Sequence, residues 1–181
     1  IRRSRQRGVK MTCSIAAANI ALLDESLREF DAHCKLSPPL RSRGHLESCL
    51  AGLKDGTIDV IASGHTPRAS EKKMQDIDLA PFGMVSLETT LSLVITHLIR
   101  PGHLDWPSAL AKLSTNPART LSLPKGTLAL GSDADLILID PTAKWTVDPK
   151  QFKSKSSNTP LAGKELWGRV ERVIVGGEVR L

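Results

Sequence analysis

The sequence predicts an α/β protein that ends in a small all-β unit, and three stretches carry that prediction. Ile58 to Ala62 (Ile-Asp-Val-Ile-Ala) is a short apolar run of the kind that forms a buried strand, and it leads directly into the polar cluster Ser63-Gly64-His65-Thr66-Pro67. Just before it, Leu46, Cys49, Leu50 and Leu53 recur at spacings of three and four, the apolar stripe of an amphipathic helix. Beyond Lys125 the pattern changes to short apolar strands, Asp135 to Asp140 and Glu171 to Val175, with Gly176-Gly177 as a hairpin turn before Glu178 to Leu181. Parallel α/β folds carry functional groups where strands end. The segment after Ala62 is therefore the first place to look for a site.

The elements follow in order. Ile1 to Arg7 reads as the end of a helix closed by Gly8, as if the chain entered a larger protein with that helix already under way. Val9 to Ile15 reads as a strand, and Asp24 is placed to cap a short helix through Phe30. Lys35 to Arg41 is a proline-stiffened loop, His45 to Lys54 the amphipathic helix, and Asp55-Gly56 its stop. Arg68 to Ala80 is a charged loop without apolar periodicity. Leu87, Leu91, Val94, Ile95 and Leu98 mark a strong helix ending near Pro101-Gly102, followed by shorter helices over Trp106 to Leu113 and Pro117 to Leu123. Lys150 to Ser157 is a polar loop rich in serine and lysine. The expected division is an α/β portion over 1–124 and a small β unit over 125–181.

Composition narrows the function classes. Hydrophobic residues make up 40% and charged residues 24%, which is globular rather than disordered composition. Aromatic residues are only 3%, so the core rests on Leu, Ile, Val and Ala. The net charge of +6 owes much to Arg2, Arg3, Arg5, Arg7 and Lys10. Such an arm binds phosphates in some proteins, but no aromatic residues interleave to stack bases, and a solvated helix face is the simpler reading. Nucleic acid is not the expected partner. Cys13, Cys34 and Cys49 are odd in number and lack Cys-x-x-Cys spacing, which argues against a disulfide framework or a zinc knuckle and for a reducing compartment. No apolar run approaches the roughly 20 residues of a membrane span, and no signal peptide is visible; the expectation is a cytoplasmic protein without a membrane partner.

Several segments, in this order, resemble the dihydroorotases, metal-dependent cyclic amidohydrolases. Lys35-Leu36-Ser37-Pro38-Pro39-Leu40-Arg41 looks like the family's Lys-x-Asn-Pro-Pro-Leu-Arg loop, and Ser63-Gly64-His65-Thr66-Pro67 resembles its Thr-Asp-His-Ala-Pro segment. Ala80-Pro81-Phe82-Gly83 with Leu87-Glu88-Thr89, Ser114 to Arg119, Lys125 to Leu136, Asn158-Thr159-Pro160 and Gly168 to Val179 continue the match. The resemblance implies a (β/α)8 barrel with a small appended β domain, of which this chain would supply the C-terminal part. It would hold about two of the eight barrel strands, over Val9 to Ile15 and Ile58 to Ala62. Unclosed strands leave exposed edges, so an oligomer, a partner or a domain-swapped arrangement is expected to cover them.

The same resemblance shows what is altered. In the family the aspartate at the Gly64 position binds metal and moves a proton, and glycine does neither. The family's Pro-His-His aligns with Ala17-Ala18-Asn19, and its substrate-binding asparagine and histidine align with Ser37 and Arg68. The family uses zinc, held partly by a His-x-His pair that none of His33, His45, His65, His97 and His103 forms; no metal ligand, no cofactor and no catalytic residue is expected within this chain. His65 reads as a hydrogen-bonded histidine at a strand end. Asp133 and Asp135 read as turn and capping groups, Glu88 as a helix N-terminal charge, and Cys49 as a small hydrophobe. By resemblance the substrate-binding candidates are Phe82 and Gly83, through their main chain, and Arg68, through its guanidinium. The implied function is a non-catalytic dihydroorotase-like scaffold of pyrimidine biosynthesis, and aspartate transcarbamoylase is the partner the resemblance suggests. The alternative is a part of an active zinc-dependent enzyme that opens the amide bond of a cyclic amide, with its ligands upstream.

Overall fold

The structure, a computed structural model, describes residues 1–181. Two short strands form a parallel pair, β1 (Ser14–Ala16) and β2 (Val60–Ala62), in the register Ser14 to Val60, Ile15 to Ile61 and Ala16 to Ala62. Neither strand has a second neighbour. The connection between them contains the helical turn α2 (Ala18–Ala21) and the amphipathic helix α3 (Arg43–Lys54), which turns Leu53 fully inward beneath Ile15 and Ile61. Parallel strands require such a crossover.

At their amino ends the strands are fastened by charge. Helix α1 (Arg2–Gln6) sends Arg2 to Asp55 at 2.6 Å, and Arg5 to the Gly56 carbonyl at 3.0 Å and to the Asp59 carboxylate. Asp59 also accepts the Cys13 N–H at 2.8 Å. That bond explains why the predicted strand over Val9 to Ile15 is shorter, beginning at Ser14: the Cys13 amide is given to a side chain instead of a neighbouring strand. On the other side of β2, Lys112 donates to the Ile58 carbonyl at 2.6 Å, and the Asn116 carboxamide donates to the Asp59 carbonyl at 2.9 Å.

After β2 a helical turn, α4 (Ser70–Lys73), interrupts the segment that sequence reads as a plain loop. Helix α5 (Thr90–Val94) then widens into a π-helical turn over Ile95–Ile99, in which Arg100 N–H reaches back five residues to the Ile95 carbonyl at 3.0 Å. Leu87, expected on the buried face of this helix, precedes it and is exposed. Helices α6 (Trp106–Leu110) and α7 (Asn116–Thr120) are joined by a second π-helical turn, Ala111–Thr115. Asp105 caps α6 by accepting the Ser108 N–H at 2.9 Å, and hydrogen bonding from the Ser108 side chain, then from that N–H, lowers its carboxyl pKa.

The C-terminal third is an antiparallel sheet, β3 (Leu136–Thr146), β4 (Glu165–Val175) and β5 (Glu178–Val179). Both long strands extend well beyond the apolar runs that predict them. Between Asp140 and Lys144 the register shifts around Pro141, which lets β3 bend and carry on. The inner half of the sheet shares the core: Val147, Leu161 and Leu166 are buried in the same cluster as Ile15, Ile61, Leu93 and Leu98. Its attachment to α5 is polar as well. The Ser92 hydroxyl donates to the Gly168 carbonyl at 2.6 Å, and Thr96 Oγ1 accepts the Trp167 N–H at 2.8 Å at the widened turn. The outer half, with Ile137, Leu138 and Val175, is exposed. No helix is long and apolar enough to cross a membrane.

Candidate functional site

A small cavity of about 110 Å³ lies at the carboxyl ends of β1 and β2 and gathers most of the residues singled out from sequence: Asn19, Ser37, Gly64, Arg68, Phe82 and Gly83 all line it. Its floor is Ala16 and Ala18, and Ser63 and Thr66 form one flank. Arg68 is the one charged residue in the lining, which contains no carboxylate, imidazole or thiol.

Gly64 adopts φ +63°, a left-handed conformation that costs other residues energy. A Cβ there would stand 3.0 Å from the Ala16 Cβ, so glycine fits against a floor already occupied by a methyl group. Ala17 and Ala18 are buried, with the Ala17 N–H bonded to the Ala62 carbonyl at 2.9 Å. Asn19 turns its carboxamide to the Pro39 carbonyl at 3.2 Å, holding the proline loop and with it Ser37 at the cavity mouth.

His65 points away from the cavity. Its Nδ1 accepts the Ser86 N–H at 3.2 Å and the Leu87 N–H at 3.1 Å, which places the ring proton of the neutral form on Nε2. The adjoining backbone extends the parallel arrangement, since Thr66 N–H donates to the Met84 carbonyl at 2.8 Å beside the His65–Met84 bridge.

The Phe82–Gly83 wall is already bonded within the protein. Arg68 Nε donates to the Phe82 carbonyl at 2.9 Å, Gly83 N–H donates to the Lys35 carbonyl at 3.0 Å, and the Gly83 carbonyl accepts from Asn158 Nδ2 at 3.1 Å. Gly83 has φ +123°, and a Cβ on it would fall 2.6 Å from the Thr66 carbonyl oxygen, so no side chain fits. The Phe82 ring is half exposed beneath the Lys35 ammonium, 4.9 Å from its centroid. The two terminal amino groups of Arg68 bond no other residue. They, with the Ser37 hydroxyl, are what the cavity offers a polar or anionic group.

Two supporting residues were not legible from sequence as parts of the site. Lys73, in the segment that reads as a solvated charged loop, is 3% exposed, and its ammonium donates to the Ala32 carbonyl at 2.7 Å and the Pro81 carbonyl at 2.9 Å. Burial lowers its pKa, and the two carbonyls brace the Phe82 segment from behind. Asn158, matched only as part of a motif, bonds Arg68 and Gly83 across 90 and 75 residues of sequence. Other expectations are refined. Glu88 accepts the Lys153 and Ser154 N–H groups at 2.9 and 3.0 Å, so it anchors the serine-lysine loop rather than serving its own helix. Asp133 and Asp135 flank the Lys125 ammonium at 2.5 and 2.6 Å and close a turn.

Nowhere do three His, Cys, Asp or Glu side chains gather into a group able to hold a metal. The donors at the strand ends are amides, hydroxyls and a guanidinium, so the residues present do not fit a zinc ion.

A cavity at the carboxyl ends of parallel strands, with helices and a docked sheet around it, defines the class: an α/β protein with its site where α/β hydrolytic enzymes place theirs. The chain belongs to the amidohydrolase family, whose model matches residues 3–180. It is 48% identical over 179 residues to a dihydroorotase of Pelotomaculum thermopropionicum, an alignment that covers 99% of this chain and 42% of that protein. It is 42% identical over 179 residues to a dihydroorotase of Acetivibrio thermocellus, again 99% and 42% of the two chains. Among solved structures it superposes on the L-hydantoinase (dihydropyrimidinase) of Arthrobacter aurescens with a TM-score of 0.92 at 27% identity, covering 99% of this chain and 41% of that one. The D-hydantoinase (dihydropyrimidinase) of a Thermus species gives a TM-score of 0.90 at 27% identity, with coverage of 99% and 41%. The dihydroorotase resemblance drawn from the motifs therefore holds over nearly the whole chain, which spans about 42% of the length of these curated relatives.

Proposed function

We propose that these residues are the C-terminal part of a dihydroorotase-like, cytoplasmic protein of pyrimidine biosynthesis, and that as this chain they serve as a scaffold rather than a catalyst. Residues 1–124 would form the last portion of a (β/α)8 barrel, and residues 125–181 the appended β unit. The observation that carries this reading is the chemistry of the strand ends. Ala16, Ala18, Ser63 and Gly64 stand where a hydrolase needs metal ligands or a base, and none supplies a carboxylate or an imidazole. What the cavity keeps is a means of holding a small anion: Arg68, with Phe82 and Gly83 shaping the wall it leans on. The unpaired flanks of β1 and β2 support an oligomer, a swapped arrangement or a partner against them, for which we propose aspartate transcarbamoylase.

A second reading rests on the 48% identity to a dihydroorotase more than twice as long. In it the chain is one portion of a zinc-dependent enzyme that hydrolyses the amide bond of a cyclic amide, with its metal ligands elsewhere. One experiment separates the two. After dialysis, zinc content is read by elemental mass spectrometry and L-dihydroorotate turnover is assayed for the purified chain and, in parallel, for the longer protein that the second reading requires. Metal-free, folded, inactive protein is the expected result. Stoichiometric zinc with turnover would overturn the scaffold reading.

A further inference from the structure

We infer that Asn158 is the positioning residue of the strand-end cavity, holding both the Arg68 backbone and the Phe82–Gly83 wall in place for an anionic ligand. The inference rests on the proposal above that Arg68 holds a small anion. Asn158 is 3% exposed, and every polar group of its carboxamide is used across the cavity's supports. Its Oδ1 accepts the Arg68 N–H at 2.8 Å, and its Nδ2 donates to the Gly83 carbonyl at 3.1 Å. Its own carbonyl accepts the Val85 N–H at 2.7 Å, so the wall is held at two points. The Ser156 hydroxyl, with one proton to give, lies between Asn158 Oδ1, 2.7 Å away, and the Arg68 carbonyl.

Arg68 is thereby held by its main chain from one side while its Nε meets the Phe82 carbonyl at 2.9 Å on the other. Moving either support turns the free amino groups away from the cavity. No other side chain bonds the Arg68 main chain and the Gly83 wall together, and the junction depends on one group that both donates and accepts. A carboxamide does that at any pH; a carboxylate does not. Glu88, at the far end of the same loop, fixes Lys153 and Ser154, so the segment from 153 to 158 is fastened at both ends with Asn158 as its inner clasp.

This asymmetry gives the test. In Asn158→Asp the carboxylate still accepts from Arg68 but confronts the Gly83 carbonyl with a second oxygen. When protonated it regains the donor. Burial beside a carbonyl raises the pKa of such a carboxyl, so acidification restores the wild-type pattern. The charged or titratable groups on the surrounding segments are Arg68, the Lys35 ammonium bonded to the Asp78 carbonyl, Lys73 on the Ala32 and Pro81 carbonyls, Glu88, Lys153 and Lys155 on the same loop, and His65 facing the Ser86 and Leu87 amides. All are common to wild type, so the comparison is the ratio of variant to wild type at each pH.

The probe is L-dihydroorotate, with affinity read by titration calorimetry and local order by hydrogen exchange. At about pH 8 the variant is expected to bind about tenfold more weakly than wild type and to lose protection only over residues 66–69 and 82–86. At about pH 5 both differences should close. Equal binding and exchange at both pH values would overturn the inference, and so would lost protection spread through α5 and β4. If wild type itself fails to bind the probe, the ligand proposal falls, and the exchange pattern alone decides the role of Asn158. Ser156→Ala serves if the aspartate variant does not fold. Faster exchange confined to residues 66–69 is expected, and no change would count against the clasp.

Discussion

The two ends of the β1–β2 pair, only three residues apart along each strand, are built from opposite chemistry. The amino end is charged and fully bonded: Arg5 and the Cys13 N–H share the Asp59 carboxylate, while Lys112 and Asn116 close the carbonyls of Ile58 and Asp59. The carboxyl end is floored by Ala16 and Ala18 and edged by Gly64, with Arg68 its one charge. In parallel α/β folds the amino end is the end that stabilises and the carboxyl end the one that reacts. In this chain the first end is built in full, and the second presents a cavity with Arg68 as its one charged group. The clasp proposed at Asn158 serves the placing of groups at that second end.

The comparison can be broken by substitution, and Gly83 offers the largest effect. Gly83→Ala is expected to cost about 3 kcal/mol in urea denaturation, because the methyl group meets the Thr66 carbonyl in a left-handed conformation. A loss under about 0.5 kcal/mol, the level of a surface change, would mean that the cavity wall is slack. Asp59→Ala tests the opposite end, where about 2 kcal/mol is expected as Arg5 and the Cys13 amide lose their acceptor. Gly64→Asp should cost about 1–2 kcal/mol for its φ alone. It should bring neither zinc nor turnover, since no second ligand awaits it; dihydroorotate hydrolysis by this single variant would contradict the division between the two ends. Arg68→Ala should leave stability within about 0.5 kcal/mol while abolishing retention of L-dihydroorotate, and unchanged binding would remove Arg68 from the site.

A further prediction concerns pH. The Cys34 thiol, buried beside Ala32 and Leu36, is raised by burial from 9.0 to about 11, with Asp31 adding to the shift. The unfolded chain therefore releases this proton first. The stability from the buried neutral thiol is complete below about pH 9 and is lost as pH climbs toward 11. Cys34→Ala should flatten that decline in a series of denaturation curves, and an unaltered slope would assign the decline to other groups.

Sequence made some of this legible and hid the rest for physical reasons. The α3 stripe of Leu46, Cys49, Leu50 and Leu53 announces a helix because its pattern is local, and the helix is there over Arg43–Lys54. The strand over Ile58 to Ala62 and the polar cluster after it are local too, and they mark Gly64; Arg68, Phe82 and Gly83 are named by the dihydroorotase resemblance, and the cavity brings all four together. What is not local was invisible. β3 runs past Pro141 because a register shift absorbs the ring, a device without a sequence signature. Lys73 looks like any surface lysine until the carbonyls of Ala32 and Pro81 surround it. Asn158 acquires its meaning from partners far away in sequence, and hydrogen bonds at such range leave no periodicity to read.

The seam between the sheet and α5 makes the molecule its own optical reporter. With no tyrosine and only three tryptophans, its near-ultraviolet emission comes from few places, and two of them lie on that seam. Trp145 donates its indole N–H to the Gly168 carbonyl at 3.1 Å, and Trp167 is stacked under the Arg100 guanidinium at 3.7 Å. Separation of the sheet from the helix would wet both rings at once and shift their colour, while events at the strand-end cavity would leave them dark to the observer.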